Sequence, residues 1–160
     1  EQSIFHWELE YPEVFFGKDG EKLDEAGFDA VIGNPPYVNI TRIPGSQKTY
    51  LKNAYSTAFR RFDLYILFCE LAESLAEQNG FYSYIIPDKV FTESYASKWR
   101  KNVLEKGDIF NIFDLRDQNV FEDAANTPIV FVAQSSRCEE DISIYIGRVA
   151  KPFDLTYRNI

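Results

Sequence analysis

The sequence predicts an α/β fold with a mostly parallel β-sheet. Two segments with the apolar spacing of amphipathic helices, at residues 63–78 and 94–107, alternate with short runs of β-branched and aromatic residues. Strands that alternate with helices are joined by crossovers and therefore run parallel. The last two apolar runs, at 128–133 and 142–146, have no helix between them. We therefore expect these two strands to form an antiparallel pair at the C-terminal end of the sheet.

The first part of the chain predicts two strands and two loops. Residues 5–11 alternate apolar and other side chains, as a half-buried strand does, before a proline interrupts the pattern. Residues 17–27 are polar and bounded by glycines, which is typical of a surface loop. The apolar run 28–33 predicts a buried strand. Residues 38–61 form a long polar stretch, which we interpret as a flexible lid over a substrate.

Caps and breakers predict where the later elements begin and end. Asp63 is expected to cap the first helix, and Asn79-Gly80 is expected to end it. Ser94 should cap the second helix, which ends at Gly107. Further strands are predicted at residues 81–86, 109–115, 128–133 and 142–146.

Length and cysteine content limit the class of protein. With 160 residues the chain is long enough for a single domain with a sizeable core. Cys69 and Cys138 stand alone, without the spacing of a disulfide framework or a metal site. We therefore expect no metal and a reducing, cytoplasmic location, with Cys69 as a buried thiol on its helix. No apolar run approaches the length of a membrane span, so no membrane partner is expected.

The charged residues give a mixed indication. The formal net charge is −8, which argues against a broad phosphate-binding face. Basic residues nevertheless gather in one stretch, and they are Arg42, Lys48, Lys52, Arg60 and Arg61. Such a cluster is equally typical of a solvated loop and of a contact with a nucleic-acid backbone.

The tetrapeptide Asn34-Pro35-Pro36-Tyr37 directly follows the strand predicted at residues 28–33. The two prolines stop any helix and fix the backbone beyond the end of the strand. The motif therefore lies at the carboxyl edge of the sheet, where open α/β folds bind their ligands. A carboxamide that accepts and donates, next to an aromatic face, suits a planar group that carries an amine.

This tetrapeptide after an F-D-x-V-I-G strand resembles the catalytic motif of amino-methyltransferases, above all of the N6-adenine DNA methyltransferases. The resemblance covers most of residues 28–133. The segments that also carry it are Asp63-Leu64-Tyr65, residues 80–87, Asn119-Val120-Phe121 and residues 127–132. Residues 5–15 are similar to the segment that precedes the tetrapeptide in large restriction–modification methylases, including fused single-chain enzymes.

The resemblance implies a fold, an activity and a set of site residues. The fold would be a partial Rossmann-like methyltransferase fold, and residues 1–160 would form the C-terminal half of a catalytic domain. Asn34, Pro35, Pro36 and Tyr37 would be the catalytic residues of an adenine-specific DNA methyltransferase. Tyr37 and Phe121 would stack on an adenine flipped out of double-stranded DNA. Asn34 and Pro35 would also contact S-adenosylmethionine in the full-length protein, whose further partners would be restriction subunits or a fused nuclease domain.

Three features of such enzymes have no counterpart in residues 1–160. These are the Gly-rich cofactor loop, the acidic residue that holds the ribose, and a separate target-recognition domain. We therefore expect this chain by itself to bind S-adenosylmethionine weakly or not at all, and to be inactive alone.

Two other functions fit the same residues. Glutamine N5-methyltransferases of release factors carry the same tetrapeptide, because a glutamine amide is also a planar and weakly nucleophilic nitrogen. The long stretch 38–61, Phe121 and the segment 5–15 favour DNA as the substrate. The chain could alternatively be a non-catalytic scaffold within a restriction or phage-defence assembly, although the intact tetrapeptide argues against such decay.

Overall fold

A computed structural model describes residues 5–118, 120, 127–138 and 142–149. The described helices are α1 (Trp7–Glu10), α2 (Pro12–Phe15), α3 (Gly45–Ala54), α4 (Tyr65–Leu75) and α5 (Ser97–Lys106). The strands are β1 (Phe28–Gly33), β2 (Ala76–Pro87), β3 (Asp108–Asp114), β4 (Pro128–Gln134) and β5 (Tyr145–Arg148). Short 3-10 turns lie at Ile40–Arg42, Asp88–Phe91 and Ser94–Ala96.

The five strands form one mixed sheet in the order β1-β2-β4-β3-β5. β1 runs parallel to β2, and β3 runs parallel to β5. β4 is antiparallel to both of its neighbours, β2 and β3. Four of these five strands therefore point the same way, which confirms the predicted α/β class with a mostly parallel sheet.

The predicted pairing of the last two strands is wrong. β4 does not pair with β5 but lies between β2 and β3. Its side chains explain the position, because Ile129, Phe131 and Ala133 are almost fully buried and belong in the middle of a sheet. β5 begins later than predicted and exposes Tyr145 and Ile146. Such a strand suits an edge, and it takes the free edge of β3.

The strand predicted at residues 5–11 is also wrong, because this stretch forms α1 and α2. Trp7, Tyr11 and Phe15 each meet the ring of Phe28, with centroid distances of 5.7, 5.7 and 5.6 Å. These three residues are four positions apart, which is a helical spacing. Packing around one ring at the start of β1 therefore decides the local structure.

Two of the predicted helix caps are absent. The N-cap positions of α4 and α5 are Leu64 and Ala96, and neither makes a side-chain capping bond. α4 also ends earlier than predicted, since β2 begins at Ala76. Asn79 has a positive φ of 71° and lies where the pairing of β1 with β2 is irregular. Gly107 does follow the end of α5, as predicted.

The main core lies between the sheet and the helices α4 and α5. Its largest fully buried side chains include Trp99, Tyr65 and Tyr82. Cys69 is fully buried in this core, as predicted. None of the helices in the described part of the chain has the length and apolar character that crossing a bilayer requires.

The stretch 38–61 is more ordered than predicted. It contains a 3-10 turn at Ile40–Arg42 and the ten-residue helix α3. A second, smaller core forms where Ile40, Phe62 and Leu67 are buried together. Apolar side chains within the stretch pack on this core, so the stretch is a folded excursion rather than a structureless loop.

Candidate functional site

The tetrapeptide Asn34-Pro35-Pro36-Tyr37 lies where β1 ends, beside the carboxyl end of the parallel strand β2. Pro35 is buried, whereas Asn34 and Pro36 are exposed. Within the described residues, no hydrogen bond involves the carboxamide of Asn34. β1 has β2 as its one partner in the described sheet. The carboxamide therefore lies at an edge of the described sheet, with its donors and acceptor unused by the described residues.

Tyr37 is fixed from two sides. Its hydroxyl donates a hydrogen bond of 2.9 Å to the carbonyl oxygen of Ile85 on β2. Its half-buried ring meets Tyr65 edge-on, with centroids 6.0 Å apart and planes at 74°. Burial, with a smaller contribution from Cys69, raises the pKa of Tyr37 to about 12. The phenol therefore stays protonated and keeps donating to Ile85 throughout the neutral range.

The end of β1 also brings Gly33 against an aromatic ring of β2. Gly33 pairs with Tyr84, and a β-carbon at this glycine would lie 3.1 Å from Cε1 of that ring. This distance is shorter than ordinary van der Waals contact, so a larger residue would push either the ring or the strand end. The absence of a side chain at Gly33 lets the tetrapeptide begin close to β2.

A chain of hydrogen bonds that the sequence did not reveal lies behind Tyr37. Asn39 Nδ2 donates to Asp63 Oδ1 over 2.8 Å, and the hydroxyl of Tyr95 donates to Asp63 Oδ2 over 3.1 Å. The hydroxyls of Tyr95 and Tyr65 are 2.9 Å apart. Asp63 therefore does not cap α4 but connects the strand-end motif to the core. Asn39 lies two residues after Tyr37, and this proximity is the one local indication of its role.

The same contacts close the excursion at its base. The amide of Leu64 donates to the carbonyl of Val38 over 2.8 Å, and the amide of Ile40 donates to that of Phe62 over 2.9 Å. Asn39 Nδ2 also donates to the carbonyl of Arg61. Residues 38–62 therefore leave and return at one point directly beside Tyr37. We call residues 38–62 the basic segment, because they contain the cluster of Lys and Arg residues described above.

Glu70 of α4 binds the C-terminal part of the basic segment. Its carboxylate accepts hydrogen bonds from the backbone amides and the hydroxyls of both Ser56 and Thr57. Burial raises the pKa of this carboxyl, but the four hydrogen bonds lower it more, so the pKa lies below its ordinary value. Thr57 is only 1% exposed, so Glu70 satisfies donors that water does not reach.

A depression of about 370 Å³ at the opposite end of β2 is a poor rival for the tetrapeptide. It is lined by Ala76, Glu73, Lys106 and Ser135, among others. Burial raises the pKa of the Glu73 carboxyl, although Lys106 opposes this, and Asn102 donates to the same carboxylate. These side chains interact with one another, and they lie near Ala76, at the end of β2 opposite Ile85.

Asn34, Pro35, Pro36 and Tyr37 therefore meet at one corner, at the strand end where the sequence predicts them. Phe121, the predicted second stacking residue, lies outside the described residues, and so does Asn119. The stacking role of Phe121 stays a prediction.

The chain is similar in sequence to restriction–modification enzymes. The family model described as Eco57I restriction-modification methylase matches residues 1–121. The type II methyltransferase M.BstVI of Geobacillus stearothermophilus is 28% identical over 116 residues, which are 72% of this chain and 21% of M.BstVI. The type II restriction enzyme and methyltransferase RM.Eco57I of Escherichia coli is 26% identical over 98 residues, which are 59% of this chain and 10% of that protein. The chain thus spans about a fifth or less of these curated relatives.

The fold is similar to that of a Listeria monocytogenes protein assigned to the class I S-adenosylmethionine-dependent methyltransferases. The TM-score is 0.63 at 16% identity, over 82% of this chain and 39% of that protein. This similarity shows the fold alone, which is the α/β methyltransferase fold that the sequence predicts.

Proposed function

The chain belongs to the Eco57I restriction-modification methylase family, and we propose that it carries the target-base side of an N6-adenine DNA methyltransferase site. In this proposal, the full-length protein transfers a methyl group from S-adenosylmethionine to the exocyclic amine of an adenine flipped out of duplex DNA. Residues 1–160 would form the C-terminal half of its catalytic domain. The observation that carries the proposal is the exposed carboxamide of Asn34, which has no hydrogen bond within the described residues.

The exocyclic amine of adenine is a weak nucleophile, because its lone pair is delocalised into the ring. Asn34 and Pro35 are proposed to compensate for this weak nucleophilicity. The side-chain oxygen of Asn34 and the carbonyl oxygen of Pro35 each accept a hydrogen bond from one N–H group of the amine. As the nitrogen attacks, positive charge develops on it, and two fixed acceptors stabilise that charge. The buried Pro35 ring keeps the second acceptor in place.

Tyr37 is proposed to hold the flipped base by stacking. Its hydroxyl bond to Ile85 and its edge contact with Tyr65 fix the plane of the ring before any base arrives. Stacking of one base on an aromatic side chain contributes about 1–3 kcal/mol, which offsets much of the cost of extruding the base. Phe121 is proposed to support the opposite face of the base.

The residues at this corner are proposed to contact one end of a methyl donor. Asn34 and Pro35 are the residues of this chain that would contact S-adenosylmethionine, because they bring the amine to the place where the methyl group is presented. When bound, this cofactor supplies an electrophilic methyl group on a sulfonium. The chain's own residues orient the nucleophile and restrict it to an in-line approach, and such positioning is a large part of catalysis.

Asn34→Ala in the full-length protein tests the proposal. Because the Asn34 side chain is exposed and makes no hydrogen bond within the described residues, the free energy of unfolding should change by less than about 0.5 kcal/mol. The methylation rate should nevertheless fall about 100- to 1,000-fold, the usual effect of removing one preorganised polar contact with the transition state. Gln78→Ala is the matched control, since it removes an exposed carboxamide at the other end of β2.

The product decides between this function and its rivals. Mass analysis after incubation should find N6-methyladenine in duplex DNA and no methylated glutamine in a release-factor peptide. Methylation of the peptide alone would favour a protein methyltransferase. Methylation by neither route in the intact protein would favour a scaffold, and full activity of Asn34→Ala would reject the role given to this residue.

A further inference from the structure

Charge is strongly segregated along this acidic chain. Residues 30–62 contain five basic residues and no acidic residue. All 25 Asp and Glu residues of the chain therefore lie outside this stretch, which includes the whole basic segment. A solvated loop usually mixes charges of both signs, so a stretch of one sign within a chain of the opposite sign calls for a partner.

The cations of the basic segment are not used within the described fold. Arg42, Lys52, Arg60 and Arg61 are exposed, and none of them takes part in an ion pair within the described residues. Lys48 donates to the carbonyl of Thr41, which is uncharged. Elsewhere the basic side chains commonly face carboxylates. Examples are Lys101 with Glu105, Arg137 with Asp108, and Arg148 with Asp117.

The acidic groups nearest to the basic segment do not neutralise its cations. Glu70 directs its carboxylate to Ser56 and Thr57, and Asp63 directs its own to Asn39 and Tyr95. Both carboxylates therefore bind uncharged donors and hold the segment in shape. The segment is thus a folded, fixed surface of positive charge.

Residues near the end of the basic segment extend this surface. The guanidinium carbon of Arg60 lies 5.0 Å from the centre of the Phe59 ring. Lys98 of α5 lies 5.4 Å from the same centre and also donates to the carbonyl of Ser56. Basic side chains grouped on an aromatic ring are typical of nucleic-acid surfaces.

We propose that the basic segment binds the phosphate backbone of duplex DNA beside the flipped base. The proposal rests on the proposed function, because it takes the corner at Asn34 and Tyr37 as the base site. Val38 follows Tyr37 directly, and the base of the segment is closed at that point. A base held at Tyr37 therefore brings its flanking phosphates over the segment. The cations bind these phosphates regardless of sequence and fix the position of the duplex.

Two triple variants of the full-length protein separate this surface from a general charge effect. The segment variant is Arg42→Gln, Lys52→Gln and Arg61→Gln. The control variant removes three charges from ion-paired, exposed side chains, and it is Lys101→Gln, Arg137→Gln and Arg148→Gln. Affinity for a synthetic duplex of mixed sequence is measured by fluorescence anisotropy between about 50 and 200 mM salt.

Each phosphate contact contributes about 0.9 to the slope of log affinity against log salt concentration. The slope should therefore be smaller by about 2 to 3 in the segment variant and unchanged in the control. Equal slopes for the segment variant and the parent protein would overturn the proposal. It would also be overturned if polyglutamate competed as well as duplex DNA, since the surface would then bind any polyanion.

Failure of this proposal is distinguishable from failure of the proposed function. If the slope changes as expected but the parent protein methylates no adenine, the DNA surface stands and the proposed reaction does not. If adenine is methylated while the slope stays constant, the reaction stands and the phosphate contacts lie elsewhere.

Discussion

Glu70 should stabilise the conformation of the basic segment at Ser56 and Thr57, and Glu70→Ala measures the size of this stabilisation. This substitution leaves the amide and hydroxyl of Thr57 without an acceptor at a position that is 1% exposed. Each buried donor left unsatisfied costs about 1–3 kcal/mol, so we expect the two donors together to lower the free energy of unfolding by about 2–6 kcal/mol. The two donors of Ser56 add little, because Ser56 is exposed and water replaces the carboxylate there.

The acid dependence of stability gives a second measure of the same contact. The pKa of Glu70 lies below its ordinary value of 4.5, because burial raises it less than the hydrogen bonds from Thr57 and Ser56 lower it. The stabilisation is therefore complete above pH 4.5 and is lost as the pH falls through the folded-state pKa. Glu70→Gln should remove this part of the acid dependence while keeping one acceptor oxygen.

Urea unfolding and hydrogen exchange of residues 55–62 in the full-length protein are the measurements. Glu105→Ala is the control, because the ion pair that Glu105 forms within the described residues is with Lys101, and both side chains are exposed. An exposed pair of this kind contributes about 0.3–0.5 kcal/mol. If Glu70→Ala is no more destabilising than Glu105→Ala, and the Thr57 amide exchanges as slowly as before, then Glu70 does not hold the segment.

Two further predictions concern the motif itself. Tyr37→Phe keeps the ring and removes the hydrogen bond to Ile85, so the free energy of unfolding should fall by about 0.5–1.5 kcal/mol. Binding of a fluorescent adenine analogue at the target position should stay close to that of the parent protein. Loss of this binding would give the hydroxyl a role beyond orienting the ring. Asn39→Ala removes the donor to Asp63 and to the carbonyl of Arg61. Denaturant unfolding should therefore show a free energy of unfolding lower by about 1–3 kcal/mol. An unchanged unfolding midpoint would contradict the closure of the basic segment at Asn39.

Local patterns predicted the elements that are decided locally. The run from Phe28 to Gly33 is β1, residue for residue, but the prediction that this strand is buried is wrong, because β1 lies at the edge of the described sheet and Ile32 is 80% exposed. Gly107 follows the end of α5 as predicted, but its backbone is extended rather than left-handed, and a β-carbon there would collide with the carbonyl oxygen of Gln134. The prediction of a strand at residues 5–11 was wrong because the apolar residues there fit the spacing of a strand and also that of a helix. Its contacts with Phe28, distant in sequence, select the helices.

Features that depend on distant partners were not predictable in this way. A capping role for Asp63 follows from its place before a helix, yet its carboxylate binds Asn39 and Tyr95, which are 24 and 32 positions away. The predicted pairing of the last two strands was wrong for the same reason, since the place of β4 between β2 and β3 depends on how Ile129, Phe131 and Ala133 are buried in the whole sheet. At the site, the sequence predicted that the tetrapeptide follows β1, whereas the bond from Tyr37 to Ile85 depends on the pairing of β1 with β2.

The strongest support for the site comes from two asparagines five positions apart. The carboxamide of Asn39 is fully used: its nitrogen donates to Arg61 and Asp63, and its oxygen accepts from the amide and hydroxyl of Thr41. The carboxamide of Asn34 is exposed and has no such bond within the described residues. A structural asparagine should cost stability when it is removed, whereas one that binds a substrate should cost activity alone. Opposite outcomes for Asn39→Ala and Asn34→Ala are therefore what a preformed base site requires, because its scaffold residues bind one another and its binding group has no hydrogen bond within the described residues.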